Sequence, residues 1–416
     1  MDTREAKALE IAATLPVKRK GDVWTVPSQA GHGSYRVSEP TNLRYVPGAR
    51  SGLACTCPDF DERQGPCKHV LAVEFTMQRE ATPDADVVKL RRPTYPQNWP
   101  AYNAAQCQEK EQLLPMLADL CGTLSRPYGG RGRPPLPVSD MAFACVSRVY
   151  SGLSARRFDS DVREAAEKGL TEQDPHFNSV LRYLRSPSMT AALRGLVELS
   201  ALPLKAVETD FAVDSTGFTT SRFERWYDHK WGKEKTRRQW VKLHAMTGVR
   251  TNVVTAVELS GGHSGDSLYF KSLLATTAQN FDMRDVSADK AYSSKAILQA
   301  VADEGATPYI PFRGGIPAIQ GYMPTMTENT SAFYRMQYMF AYQRDTFLAH
   351  YHQRSNVETT FSMIKRKFGD SLRSKSETGQ MNEILCKVVA HNLCCIISAL
   401  HELGIEAPQF QGALRV

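Results

Sequence analysis

The sequence pattern changes near residue 206, and this change limits the possible folds more than any other feature of the chain. Apolar residues recur with helical spacing between 138 and 200, whereas short apolar runs alternate with helical stretches after 206. The predicted strands lie at 211–213, in a hairpin-like pair at 240–259, and near residues 286 and 307, and the predicted helices lie at 266–278, 293–303 and 350–368. The order βββ, helix, β, helix, β, helix predicts a mixed α/β sheet flanked by helices.

Two aspartates stand where predicted strands end. Asp214 follows the apolar run that ends at Val213, and Asp289 follows the short run that ends at Ala288. The chain between them is long enough for a hairpin and a crossover helix, which would bring two strand ends together in one sheet. Asp210 is the main rival ligand, because it lies four residues before Asp214 on the same face of a strand.

A third acid lies in the segment YHQRSNVETTFSMIKRKFGD, which predicts a helix. Tyr351, Arg354, Glu358 and Lys365 stand at offsets of 0, 3, 7 and 14, so they share one face of such a helix. Cations beside a carboxylate suit a metal ligand that faces a DNA phosphate, since they neutralise the phosphate while the acid binds metal. Three such carboxylates are hard oxygen ligands and predict bound Mg²⁺.

Each acid taken alone has a simpler explanation. Aspartates at strand ends are commonly turn formers or helix caps, and a glutamate between arginine and lysine is commonly a surface ion pair. The three acids together, in this order and with the cationic helix face, favour a shared metal site.

These residues also carry a family resemblance. DSTGF, then ADKAY, then Y-x2-R-x3-E-x6-K resembles the insertion-sequence DDE transposases of the YREK-signature group, over roughly residues 130–395. The resemblance implies a ribonuclease H-like catalytic domain that uses Mg²⁺ or Mn²⁺, cleaves double-stranded DNA at transposon ends and joins it to target DNA as a dimer or larger assembly. It implies metal ligation and catalysis by Asp214, Asp289 and Glu358, with DNA contact or active-site support by Tyr351, Arg354 and Lys365. His263 and Asp266, in GGHSGDS, resemble another family segment, and a supporting role and helix capping both stay open for them.

A second motif lies near the N-terminus. Cys55, Cys57, Cys67 and His69 supply three thiols and one imidazole, a complete tetrahedral Zn²⁺ set with no open position, so a structural site is expected. The spacing C-x-C-x9-C-x-H is similar to the SWIM zinc finger. Residues 22–47 alternate as a hairpin does, and Pro66 begins a short helix ending near Arg79, which together predict a small ββα zinc module. The other six cysteines are predicted to be buried apolar residues.

Further DNA-facing candidates are basic residues between and within predicted helices. Arg131 and Arg133 in RGRP resemble an AT-hook core, although a basic linker explains them as well. Arg156 and Arg157 begin a predicted helix, and Asn178, Arg182 and Arg185 line another, as in a helix-turn-helix or on ordinary solvated helix faces. The basic and aromatic stretch after Asp214 contains Trp226 and Trp231, which are candidates for stacking on DNA, and Trp240, which is predicted to be core.

The predicted organisation has five segments. They are a zinc module at 1–80, a linker and helical connection at 81–137, a helical DNA-binding region at 138–205, the catalytic domain at 206–400 and a tail at 401–416. The formal net charge of +7 permits a polyanionic partner. No membrane helix and no secretion signal are expected, so a cytoplasmic protein is predicted. A nuclease that cuts without joining, and a non-enzymatic zinc protein derived from a transposase, remain as alternatives.

Overall fold

The chain divides into two compact units, Met1–Pro96 and Gln97–Val416, and each has its own hydrophobic core. The structure, a computed structural model, describes residues 3–15, 17–28, 33–38, 53–63, 66–81, 98–124, 134–220, 240–312 and 330–413. The candidates Arg131, Arg133, Trp226 and Trp231 lie outside the described residues.

The first unit is a four-stranded antiparallel sheet with three helices. Its elements are α1 (Thr3–Thr14), β1 (Lys18–Lys20), β2 (Val23–Pro27), β3 (Ser34–Ser38), β4 (Ala54–Cys55), α2 (Pro58–Arg63) and α3 (Lys68–Ala81), with strand order β1-β2-β3-β4. The predicted hairpin is confirmed as β2 and β3, whose Trp24, Val26 and Val37 alternate into the core. The predicted ββα outline is too small, because Ala8 and Ile11 of α1 are fully buried in the same core.

The second unit begins with helices and continues into a five-stranded sheet. Its helices are α4 (Trp99–Gly122), α5 (Val138–Ser151), α6 (Asp159–Glu167), α7 (Phe177–Leu184), α8 (Pro187–Ala201), α9 (Phe270–Ala278), α10 (Lys295–Asp303), α11 (Ala332–Tyr342), α12 (Arg344–Tyr351), α13 (Ser355–Phe368), α14 (Glu377–Leu403) and α15 (Phe410–Ala413). Its strands are β5 (Asp210–Thr219), β6 (Trp240–Gly248), β7 (Val254–Gly261), β8 (Asp285–Ala288) and β9 (Thr307–Tyr309). The predicted mixed α/β class and the order of its strands and helices are confirmed.

The sheet has the strand order β7-β6-β5-β8-β9. Strands β5, β6 and β7 form an antiparallel meander, whereas β8 runs parallel to β5 and β9 parallel to β8. All four residues of β8 are buried, as expected for a short strand covered on both faces. The parallel pairs require crossover connections, and helices α9 and α10 lie in those connections.

Three predicted helices differ in detail from the observed ones. The stretch 266–278 starts with a 3₁₀ turn at Asp266–Leu268 before α9, and α10 begins at Lys295 after Ser294 caps it through the Ile297 amide. The continuous helix predicted at 350–368 is wrong, since a 3₁₀ turn at His352–Arg354 separates α12 from α13. Helical spacing alone does not reveal this break, because a hydrogen bond from Arg354 to Asp214, in another part of the fold, accompanies the tighter turn.

The long helix α14 is the centre of the second unit. By length and composition it is apolar enough to cross a membrane, but 78% of its most apolar stretch is buried inside the protein. It packs against α4, α5 and α8, and α8 also packs on strand β7. The helices predicted as a DNA-binding region therefore share one hydrophobic core with the sheet.

Two predictions about single residues are wrong. Trp240 is 40% exposed rather than core, because it is the first residue of β6 and its ring lies over Gly217 at the sheet's end. Cys107 is exposed on α4, whereas Cys121, Cys145, Cys386 and Cys395 are buried as predicted and Cys394 is partly buried.

Asn392 of α14 joins three elements of this core. Its side chain accepts a hydrogen bond from the Val254 amide at 2.9 Å and donates to the Val254 carbonyl at 2.8 Å and to Ser200 Oγ at 3.0 Å. We expect Asn392→Ala to lower the free energy of unfolding of the second unit by roughly 2–4 kcal/mol, because buried polar groups lose their partners. Chemical denaturation followed by circular dichroism measures this loss. Asn178→Ala, on the exposed side of α7, is the control and should change it little.

Candidate active site and zinc cluster

The register of two parallel strands brings Asp214 and Asp289 to neighbouring positions. Val213 pairs with Ala288 at the last step of the β5–β8 ladder, and the two aspartates come directly after this pair. Asp289 follows the end of β8, whereas Asp214 lies inside β5, which continues to Thr219, so the predicted strand end at Asp214 is wrong. Both side chains are half-buried. Asp289 accepts a hydrogen bond from the Lys290 amide at 2.6 Å and caps the 3₁₀ turn Lys290–Tyr292.

The carboxylate of Asp214 is held by two donors. Its Oδ1 accepts from the Ser215 amide at 2.8 Å, and its Oδ2 accepts from Arg354 at 3.0 Å. Burial raises the pKa of Asp214 above its ordinary value, and the nearby negative charges of Glu358 and Asp289 raise it further. The Ser215 amide and Arg354 oppose that rise, so the two donors help to keep the acid ionised.

Glu358 reaches the same place from helix α13. One guanidinium nitrogen of Arg354 donates to Glu358 Oε1 at 2.8 Å while the other donates to Asp214. Arg354 therefore links two of the three predicted acids with one cation. The side chain of Glu358 is 59% exposed, compared with 23% for Asp214, so the acid on the helix faces solvent more than the acid on the strand.

Asp214 and Glu358 line an open cleft of about 590 Å³. Lys365 and Arg366 of α13 lie on its wall, together with the turn at Gly369 and Asp370. The ammonium of Lys365 lies 5.3 Å from the centre of the Phe218 ring, and burial lowers the pKa of Lys365. Tyr351 is half-buried one turn before Arg354, with its ring stacked near Phe347.

A second polar cluster lies beside the first, on β6 and the turn before α9. The Asp266 carboxylate accepts a hydrogen bond from Lys242 and lies 3.5 Å from His244 Nδ1, and Ser215 also bonds to it. His244 is fully buried, contacts Ser260 Oγ at 2.8 Å and stacks on Tyr269. Asp266 is the first residue of the 3₁₀ turn, whose N-cap is Gly265, and its carboxylate bonds to the side chains of this cluster. His263 is exposed.

Tyr292, the last residue of ADKAY, was not singled out by the sequence. Its side chain is 2% exposed, and its hydroxyl has no hydrogen-bond partner among the described residues. Burial raises its pKa, and the negative charges of Asp214, Asp266 and Asp289 raise it further. A single aromatic residue most often packs in a core, so the local pattern contains no reason to select Tyr292.

Asp210 is the first residue of β5. Its carboxylate accepts hydrogen bonds from two nitrogens of the Arg284 guanidinium. Asp210 pairs in register with Asp285 of β8, and the Asp285 carboxylate bonds to His350 Nδ1 at 2.8 Å. Four residues of extended chain, roughly 13 Å, separate Asp210 from Asp214. The rival acid therefore belongs to an ion-pair cluster away from the cleft.

The basic candidates of the helical region are at the surface. Arg156 and Arg157 are exposed in the turn before α6 rather than inside a helix, and Arg156 lies over the Phe177 ring at 5.7 Å. The exposed side of α7 and its C-terminal end carry Asn178, Arg182 and Arg185. Solvent exposure agrees with both interpretations of these residues, so a DNA contact stays a prediction.

The first unit brings its three cysteines and one histidine together. Cys55 ends β4, Cys57 precedes α2, Cys67 precedes α3 and His69 lies in the first turn of α3. All four are buried, and their candidate ligand atoms lie within 4.8 Å of one another. His69 Nδ1 is 3.9 Å from the sulfurs of both Cys55 and Cys67. Four soft and borderline ligands in a closed group fit a structural Zn²⁺ ion.

The thiols of this cluster interact strongly. A hydrogen bond from Cys55 lowers the pKa of Cys67, and the same interaction raises the pKa of Cys55. Burial raises the pKa of Cys57. Buried thiols that lie this close together are chemically suited to bind one shared cation in their deprotonated form.

Two segments of the chain match known families. Residues 205–393 match the family described as the transposase DDE domain, and residues 51–78 match the SWIM zinc finger. The first match contains all three predicted acids and the second contains all four predicted zinc ligands. No curated protein matches the chain. The chain thus carries a DDE transposase domain and a SWIM zinc finger.

We expect Cys67→Ala to abolish zinc binding and unfold the first unit, because a three-ligand remnant cannot close a tetrahedral site. The second unit should keep its melting transition, since the two units have separate cores. Metal analysis of the purified protein and calorimetry measure the two effects. Cys107→Ala is the matched control and should retain zinc. Full zinc content in Cys67→Ala would contradict the assignment.

Proposed function

We propose that this protein is a metal-dependent DNA transposase that cleaves DNA at transposon ends and joins it to target DNA by in-line phosphoryl transfer. We include membership of the YREK-signature group and a ribonuclease H-like catalytic domain in this proposal. The observation that carries it is that Asp214 and Asp289 directly follow the last pair of the β5–β8 ladder, while Glu358 is joined to Asp214 through Arg354. The mixed five-stranded sheet with flanking helices supports the fold assignment.

The chemistry of the acids fits divalent metal ions. Asp214, Asp289 and Glu358 supply only carboxylate oxygens, which are the ligands that Mg²⁺ and Mn²⁺ prefer. Asp214 lies in β5 and Asp289 directly follows its partner strand β8, so the sheet sets their positions, whereas Glu358 is exposed enough to adjust. When bound, such ions activate an attacking water or 3′-hydroxyl and stabilise the leaving oxygen.

The cations of the cleft have separate tasks in this proposal. Arg354 neutralises Asp214 and Glu358 and orients both carboxylates by hydrogen bonds. Lys365 and Arg366, on the wall of the same cleft, offer positive charge to the phosphates of bound DNA. The zinc finger would supply a further binding surface, and the basic residues before α6 and along α7 would contact the transposon end.

The proposal also includes how the protein assembles on DNA and where it is located. Two DNA ends must be held together for joining, so we include assembly into a dimer or larger complex on DNA. A cytoplasmic location also stays a prediction.

The first test removes one acid's charge. Glu358→Gln keeps size and hydrogen-bonding capacity but loses the negative charge that attracts metal, so DNA cleavage in Mg²⁺ should fall by orders of magnitude while DNA binding survives. The measurement is cleavage of a plasmid that carries the DNA flanking the gene. Glu377→Gln, at the exposed start of α14, is the matched control and should cleave normally.

The outcomes of this assay discriminate among functions. Joined products with wild-type protein support a transposase, whereas cleavage without joining indicates a nuclease. Near-normal cleavage by Glu358→Gln would exclude this acid from the metal site.

The second test concerns phosphate contact. Lys365→Ala should weaken DNA binding and lower the slope of log affinity against log salt by roughly one unit, because one phosphate contact releases about one counterion. Affinity measured over a range of salt concentrations checks this. Lys271→Ala, at an exposed position of α9, serves as the control. An unchanged salt slope would show that Lys365 does not meet a phosphate.

A further inference from the structure

The hydroxyl of Tyr292 is an unused donor inside the acid site. The side chain is 2% exposed, and its hydroxyl has no partner among the residues that the structure describes. A buried polar group without a hydrogen bond costs stability, so such groups usually have a role that the protein alone does not reveal. Phenylalanine would fill the same space without this cost.

The surroundings of Tyr292 indicate which kind of ligand it meets. The 3₁₀ turn that carries it begins directly after Asp289 and packs against the turn that carries Asp266. The negative charges of Asp214, Asp266 and Asp289 raise the pKa of its hydroxyl, whereas the positive charge of Arg354 lowers it. The ring packs 5.6 Å from Phe270, so the hydroxyl is held in place by a rigid aromatic contact.

A tyrosine hydroxyl keeps its proton at neutral pH, because its ordinary pKa is about 10. It is therefore a neutral donor among acceptors, and it adds no positive charge that would compete with a metal ion. An oxygen atom that enters the site with a divalent cation, either a metal-held water or a phosphate oxygen of DNA, is a suitable acceptor.

We propose that Tyr292 is a positioning residue that donates a hydrogen bond to an oxygen ligand of the metal site formed by Asp214, Asp289 and Glu358. This inference rests on the proposed metal site. The hydroxyl orients the incoming oxygen, while Asp266 is occupied by Lys242 and Ser215 and so stays outside the metal shell.

The test uses Tyr292→Phe in the full-length, zinc-loaded protein. Without added Mn²⁺ its melting temperature should equal or exceed that of the wild type, because no protein hydrogen bond is lost. Tyr309→Phe is the matched control, since Tyr309 is also buried but stacks on His350, which bonds to Asp285. Asp289→Asn reports on the metal site itself and should lose most of the Mn²⁺-dependent rise in melting temperature.

Two binding measurements distinguish the sources of the oxygen. If the acceptor is a metal-held water, Tyr292→Phe should weaken binding of Mn²⁺ alone by about tenfold or more, as for hydrogen bonds to charged partners. If it is a phosphate oxygen, Mn²⁺ binding should be unchanged, but affinity for a short DNA duplex in Ca²⁺ should fall by about tenfold or more.

Either loss supports the inference, provided that Tyr309→Phe behaves as wild type. Unchanged affinity for both probes overturns it, as does a metal-free melting temperature well below that of the wild type, because the hydroxyl would then have a partner within the protein. If Asp289→Asn retains the full Mn²⁺ effect, the proposed metal site fails as a whole. If only Tyr292→Phe leaves binding unchanged, the failure is confined to Tyr292.

Discussion

The parallel pairing of β5 with β8 is the interaction on which the candidate active site depends. The ladder ends at Val213 and Ala288, and the residues directly after this pair are the two aspartates. A shift of the register by one residue would turn one aspartate to the other face of the sheet, since side chains alternate along a strand. The buried apolar residues of both strands oppose such a shift, so core packing also fixes the spacing of the acids.

Concentrating three acids beside the paired strands β5 and β8 creates repulsion that the fold must balance. Arg354 bonds to two of them, and Lys242 pairs separately with the neighbouring Asp266. Burial works in the opposite direction by raising the pKa of Asp214. Arginine suits the bridging position because its guanidinium stays charged and offers several donors in one plane, so it serves two carboxylates at once.

The sequence predicts best those features that depend on local pattern. The strand and helix order, the hairpin of β2 and β3, the grouping of Cys55 with His69 and the strand-end position of Asp289 follow from spacing and alternation. The predicted strand end at Asp214 is wrong, because β5 continues through this residue to Thr219. Prediction from the sequence fails where contacts between distant segments determine the local structure. The break at His352–Arg354, the exposed Trp240 and the orphan hydroxyl of Tyr292 depend on partners from distant segments, which no local pattern contains.

Glu358 is positioned by contacts at both ends of its helix, because an exposed acid has little packing of its own. Arg354 holds the first turn, and Thr360 bonds to Asn252 in the turn between β6 and β7. At the far end, Lys367 pairs with Glu109 of α4, whose other oxygen accepts from Tyr150 of α5. Helices that precede the sheet thus help to set the position of the third acid. The helical region and the sheet are therefore connected by these polar contacts as well as by their shared hydrophobic core.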